Sequence, residues 1–338
     1  MSAVLEVKHL KAYFYLREGV LKAVNDVSFS LPEKKTLGLI GESGCGKSVT
    51  ALSVLRLVAP PGRCIAGEIN LRCKDGSQLD LMKLAPRGKE IRRIRGGEIA
   101  MIFQEPMSSL SPVYTIGQQI IESLALHVPG NKQLYREMAL DLINQVGIPN
   151  PAQRIDQYPH HLSGGLRQRA MIAMALSCKP SVLVADEPTT ALDVTVQAQI
   201  LDLLRRLQES FGMSVLFITH DLGVIAEIAD MTAVMYLGQI VEYARTSEIY
   251  RNPLHPYTIG LLKATLSVKG VARTRLSTIP GMVPLAIDRP AECGFRSRCA
   301  AFDAARCMDA LPGLKEIEDM HFVRCFLHHG ETEAPSEQ

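Results

Sequence analysis

Nowhere in this chain do about 18 apolar residues run without interruption, so no segment of the sequence is suited to crossing a bilayer. The opening stretch, Met1 to Phe14, lacks the apolar core of a signal peptide and meets charge early, at Glu6 and Lys8. An excess of one charge is also missing. The 37 basic and 35 acidic residues leave a net +2, which supplies no global field for nucleic acid or an acidic membrane surface. The local basic run of Arg87, Lys89, Arg92, Arg93 and Arg95 fits a solvated helix face. There is no internal repeat, no low-complexity tract and no sustained heptad pattern. What remains is a composition of 47% hydrophobic and 21% charged residues, ordinary for a globular protein. The length of 338 residues suggests about two domains. A soluble cytoplasmic protein is expected.

Short apolar runs alternate with helical patterns. Leu37–Ile40, Val182–Ala185 and Val215–Ile218 predict buried strands, with a helix after the first from Ser48 to Leu57. Between the second and third, Val196, Ile200, Leu203, Leu204, Leu207 and Phe211 make one stripe at helical spacing, closed by Gly212. This alternation predicts an α/β core with parallel strands. Residues 60–103, with Gly67–Leu71, a turn at Asp75-Gly76 and the run Glu98–Phe103, are expected to add an antiparallel layer. Residues 105–178 are expected to form a helical subdomain. After 265 periodicity fades and prolines punctuate the chain, so the expected domains are 1–265 and a C-terminal extension, 266–338.

Gly41 to Ser48, GESGCGKS, fits the phosphate loop G-x-x-x-x-G-K-[ST] and lies between a predicted strand and a predicted helix, the context that motif needs. Gly41, Gly44 and Gly46 let backbone N–H groups face inward, and the helix N-terminus adds partial positive charge. Lys47 is placed to reach the β- and γ-phosphates and Ser48 to ligate Mg²⁺. Cys45, inside the loop, is expected to face away from the nest yet to leave an ATPase sensitive to thiol reagents. Far downstream, Asp186 and Glu187 end a predicted strand: the first can hold the Mg²⁺ shell, and the second can orient or deprotonate an attacking water. Leu162-Ser163-Gly164-Gly165-Leu166 opens another helix. Alone it is an ordinary helix cap as readily as an anion site. A second anion site is redundant within one subunit, but it makes sense closing on ATP held by another.

These motifs together resemble the ATP-binding subunits of ABC transporters, over essentially residues 5–265. The resemblance implies a P-loop ATP-binding cassette: a RecA-like core, an antiparallel β layer and a helical subdomain. It makes Ser163, Gly164 and Gly165 the signature turn, with Leu166 where many members carry Gln. Gln104 becomes the Q-loop residue and a further Mg²⁺ contact, Thr190-Ala191-Leu192-Asp193 the D-loop, and His220 the switch histidine. Ser43 and Val49 join the nucleotide contacts, and the aromatic against adenine is Phe14 or Tyr13, with Phe14 favoured. Met101 to Pro112, Ala185 to Gln199 and Asn252 to Thr258 are closely similar to the oligopeptide/dipeptide importers. That implies a second homologous ATPase subunit (a copy or a homologue), two transmembrane permease subunits and an extracytoplasmic binding protein. It also implies a peripheral place on the cytoplasmic face of the inner membrane. Peptides are the implied cargo, although relatives carry nickel, glutathione or oligosaccharides.

Eight cysteines are present, and Cys293, Cys299, Cys307 and Cys325 crowd the last segment. Their spacing matches neither a zinc ribbon nor a ferredoxin, so spacing alone leaves metal and free thiols open. Peptide-importer ATPases carry a similar Gly-x-Val-Pro stretch, here Gly281 to Pro284, followed by four cysteines that hold a [4Fe-4S] cluster. The resemblance therefore implies such a cluster, of structural kind, with zinc as the other metal four thiolates suit. His321, His328 and His329 are further candidate ligands, the last two fitting a solvated tail better.

Overall fold

The structure is a computed structural model that describes residues 2–104, 109–190, 192–266, 279–307 and 310–328. Glu105 to Ser108, Ala191 and His329 lie outside these. Among the described residues, twelve strands make two sheets. The first is antiparallel, in the order β2 (Gly19–Pro32), β1 (Ala3–Leu16), β4 (Gly62–Arg72), β5 (Gln78–Asp80). The second is mixed and runs β11 (Lys315–Glu318), β12 (His321–Val323), β10 (Gln239–Arg245), β9 (Met231–Tyr236), β3 (Thr36–Ile40), β8 (Ser214–Thr219), β7 (Val182–Asp186), β6 (Ile99–Ile102).

The strands from β9 through β3, β8 and β7 to β6 pair in parallel. Covered on both faces, they carry continuous apolar runs in place of alternation: β3, β7, β8 and β9 are buried at every residue. This corrects one expectation. Ile99–Ile102, predicted for the antiparallel layer, is instead the edge strand of the parallel sheet, in register with Val182–Ala185. Ile99, Ala100 and Ile102 are all buried, and a run that is apolar on both sides belongs between two layers, not on a half-exposed sheet.

Two hydrophobic clusters flank the mixed sheet. One joins it to the antiparallel layer through residues such as Leu5, Val27, Leu37, Leu39 and Ile69. The other joins its opposite face to the helices Ile116–His127, Lys132–Gln145 and Gly164–Leu176. Thr115 and Gln118 start the first of these helices with a reciprocal capping box, and Asn131 caps the second.

The C-terminal segment is built into the core. β12 pairs antiparallel with β10, so the extension continues the main sheet. A strap along residues 279–289 covers the free edge of β2, where Leu21 and Ile287 form an antiparallel bridge and the Lys22 N–H donates to the Ala286 carbonyl at 3.1 Å. Phe295 is buried against Tyr236 and Tyr257 at centroid separations of 5.3 and 5.4 Å.

Candidate functional site

The loop after β3 turns sharply into the helix Lys47–Val54, and glycine is required where it turns. Gly46 sits at φ 106°, and a Cβ there would come within 2.2 Å of the Ala23 carbonyl. At Gly41, φ is 154° and a Cβ would meet the Met235 carbonyl at 2.1 Å. A cavity of ≈ 580 Å³ opens beside the loop and is lined by Ser43, Gly44, Gly46, Lys47, Ser48 and Val49. Lys47, itself buried, donates from Nζ to the carbonyls of Gly41 at 2.8 Å and Glu42 at 3.2 Å. Cys45 does face away from this space, as expected, but it is 1% exposed and burial pushes its thiol up. Burial of this kind slows the reaction of a thiol with external reagents.

On the far side of the cavity, β7 and the residue after it deliver two carboxylates that their surroundings push in opposite directions. Asp186 is buried, and burial pushes its carboxyl up; the charge of Glu187 adds to this, while Ser48 opposes it by donating from Oγ to Asp186 Oδ1 at 3.2 Å. Glu187 sits just past the strand with φ 47°. Burial pushes its carboxyl up too, but the hydrogen bonds of Thr190 and His220 outweigh it and hold the group below the usual carboxylate range. Thr190 Oγ1 donates to Glu187 Oε2 at 2.8 Å, Gln104 Nε2 donates to the same oxygen at 3.2 Å, and His220 Nδ1 lies 3.2 Å from Oε1. Three residues far apart in sequence thus converge on one ionised carboxylate, and both Gln104 and Glu187 line the cavity. Ser48, Asp186 and Gln104, the candidate Mg²⁺ contacts, stand around the same place. Their hydroxyl, carboxylate and amide oxygens are the hard donors that ion prefers.

Phe14 lines the cavity as well, its ring lying where a Cβ on Gly62 would approach within 2.5 Å. Tyr13, pointing to the other face of the strand, donates its hydroxyl to Asn25 Oδ1 at 2.6 Å. By contrast, Ser163, Gly164, Gly165 and Asp193 do not line this space. Asp193 caps its helix by accepting from the Val196 N–H at 2.9 Å. Ser163 occupies the N-cap of Gly164–Leu176 but makes no side-chain capping bond, and a Cβ on Gly164 would meet nothing within 4 Å. The N-terminal N–H groups of this helix are thus left without a side-chain cap from Ser163.

A family model for the ABC transporter matches residues 24–190, and one for the oligopeptide/dipeptide transporter C-terminal region matches residues 241–307. The dipeptide transport ATP-binding protein DppD of Escherichia coli is 45% identical over 96% of this chain and 96% of its own length. This chain belongs to the ATP-binding subunits of ABC transporters, in the oligopeptide/dipeptide importer group. A second relative in the group, the oligopeptide transport ATP-binding protein AppD of Bacillus subtilis, is 45% identical over 98% of each chain. Among solved structures, a bacterial ABC transporter cassette determined as a dimer superposes with a TM-score of 0.62 at 25% identity, covering 72% of this chain and 98% of that one. The fold is that of the ABC cassette. No described helix is long and apolar enough to cross a membrane.

Reading the motifs of this ATP-binding subunit missed three sets of residues that the structure brings to the site. Val283, Pro284, Leu285 and Ala286 of the strap form one wall of the cavity beside the Gly41–Ser48 loop. The signal was present in the Gly-x-Val-Pro stretch, which carried no positional information until the strap was seen to run along β2. Gln168, buried on the helix Gly164–Leu176, donates from Nε2 to the carbonyl of Pro188, next to Glu187. Tyr257 accepts at its hydroxyl from the Glu42 N–H at 2.9 Å, fixing the phosphate loop from the helix Pro256–Leu266.

The four C-terminal cysteines line one small apolar pocket together with His255, Phe295, Phe302 and Phe326. Burial pushes the thiols of Cys293, Cys299 and Cys325 up, Cys325 to about 11, and the neighbouring sulfurs add to this. Among the described residues, no group of three or more His, Cys, Asp or Glu side chains is arranged to hold a metal ion. Two candidate histidines have other partners: His321 Nε2 lies 2.8 Å from buried Glu242, and His328 Nε2 lies 2.8 Å from the Leu254 carbonyl.

Proposed function

We propose that this chain is the motor of a peptide importer: it binds and hydrolyses ATP at the Gly41–Ser48 loop and drives uptake of di- and oligopeptides through partner membrane subunits. The observation that carries the reading is Glu187, kept ionised by Thr190 and His220 at the rim of a cavity whose other wall is the phosphate loop. A carboxylate so held can accept a hydrogen bond from water and orient it for in-line attack. Lys47 is placed to leave its loop carbonyls for phosphate oxygens, Phe14 to meet the base, and His220 and Gln104 to sense the γ-phosphate. Ser48, Asp186 and Gln104 would hold Mg²⁺, which would supply neutralisation of phosphate charge there.

The signature turn, standing away from the cavity with its serine not capping, supports an arrangement in which Ser163, Gly164, Gly165 and Asp193 serve ATP held by a second ATPase subunit, a homologue in preference to a copy. Two permease subunits and an extracytoplasmic binding protein complete the complex, and this chain sits peripherally on the cytoplasmic face of the inner membrane. The peptide cargo is supported by the names of its relatives. Reconstituted with its permeases and binding protein in proteoliposomes, the complex should accumulate a labelled dipeptide only with ATP. Uptake of Ni²⁺ with no peptide uptake would contradict the cargo.

For Cys293, Cys299, Cys307 and Cys325 the proposed occupant is a structural [4Fe-4S] cluster. A cubane takes one thiolate per iron, so its ligands ring a wider space than four ligands on one ion, and an apolar pocket shared by four sulfurs suits it. Protein purified without oxygen should be brown, with near-equal iron and acid-labile sulfide lost in Cys325→Ser. Colourless protein containing stoichiometric zinc would overturn the assignment.

A further inference from the structure

One side chain of the C-terminal extension reaches into the phosphate loop. Arg298 is 6% exposed, and its guanidinium forks onto Glu42: Nη1 donates to Oε2 at 2.7 Å and Nη2 to Oε1 at 3.1 Å. Its Nε donates to the Pro280 carbonyl at 2.9 Å, Nη1 also meets Tyr236 Oη at 3.3 Å, and the group lies near the Tyr236 and Phe295 rings. The turn that presents it is tight, with the Arg298 N–H on the Phe295 carbonyl at 2.9 Å and the Cys299 N–H on the Arg296 carbonyl at 3.3 Å. Cys293 and Cys299 bracket this turn.

Glu42 is the second residue of a loop that gathers an anion. A carboxylate there, unpaired, would repel the phosphates, and its partial burial would add a desolvation cost. Its backbone is already held by Tyr257 and by Lys47. What the loop still needs is a cation on the Glu42 side chain, and a rigid bidentate fork is the form of cation suited to a partly buried carboxylate.

We propose that Arg298 is a positioning residue for ATP: it neutralises Glu42 inside the phosphate loop, and so makes the Cys293–Cys299 turn of the extension a determinant of nucleotide affinity. The inference rests on the reading of Gly41–Ser48 as the nucleotide site and is independent of what the cysteines hold. Its signature is electrostatic, so the defect should grow with the number of phosphates. A merely structural role would weaken every nucleotide alike.

The test uses full-length protein without Mg²⁺, so that nothing turns over, and titrates trinitrophenyl derivatives of AMP, ADP and ATP by fluorescence. Arg298→Met, which keeps the apolar stem, should weaken the ATP derivative about tenfold and the AMP derivative far less. Arg298→Lys should recover part of the loss. Arg298→Met combined with Glu42→Gln, which removes both charges, should recover most of it, to within about threefold of wild type. Unchanged affinity in Arg298→Met, an equal loss for all three nucleotides, or a double variant as weak as the single one would each overturn the proposal. Wild-type protein that bound none of the three would overturn this proposal and the site reading together.

Discussion

The phosphate-loop site and the C-terminal extension share one cavity wall, yet they announce themselves differently. The first is made of short contiguous motifs, each at a strand end. The second contributes through contacts more than two hundred residues apart, as Arg298 does to Glu42 and Ala286 to Lys22. Local chemistry, such as a glycine forced by φ 106° or a lysine reaching carbonyls a few residues back, leaves its mark on adjacent residues. Chemistry assembled by sheet pairing leaves none, because β12 finds β10 only once the chain has folded. A segment with little periodicity can still wall the cavity beside the phosphate loop.

The largest expected effect is at Glu187. Glu187→Gln should lower ATP turnover by roughly 10³-fold while ATP binding persists, because the amide keeps the shape but cannot accept the proton. Turnover within a few-fold of wild type would remove the residue from the chemistry. Where β10 meets the extension the largest effect should be structural. Glu242 is fully buried and accepts from the Leu254 and His255 N–H groups at 2.7 and 3.0 Å besides contacting His321. Glu242→Ala should cost about 3 to 5 kcal/mol in chemical denaturation by stranding those partners. Burial pushes the Glu242 carboxyl up, but these hydrogen bonds outweigh it and hold the group below its ordinary 4.5. Its contribution is therefore present above that pH and is lost as the pH falls through the lower folded-state value. Stability of Glu242→Gln should accordingly fall less steeply in acid than that of wild type.

The smallest stability effects should come from the starts of the helices Val194–Phe211 and Gly164–Leu176. Asp193→Ala removes a working cap and should cost about 1 kcal/mol. Ser163→Ala removes a serine that does not cap, so stability should stay within about 0.5 kcal/mol while ATPase activity of the assembled complex drops. Equal destabilisation by the two would return Ser163 to an ordinary helix start.

Most of the cassette was legible in advance. The buried runs at 37–40, 182–185 and 215–218 became strands, and Gln104 and His220 met at the Glu187 carboxylate. Ile99–Ile102 was misplaced because four residues are too few to separate alternation from a continuous apolar run. The choice between Tyr13 and Phe14 turned on strand register, and pairing with the Gly62 end of β4 puts Phe14 on the cavity side. Leu166, where relatives carry Gln, is partly buried against the core, which gives its side chain an apolar role.

Hydrogen–deuterium exchange reads out directly whether the extension is part of the nucleotide site. Added ATP in the Glu187→Gln protein should slow exchange at 283–286 and 293–299 together with the 41–48 loop. Protection confined to residues before 267, with the extension exchanging as in the nucleotide-free protein, would contradict the account.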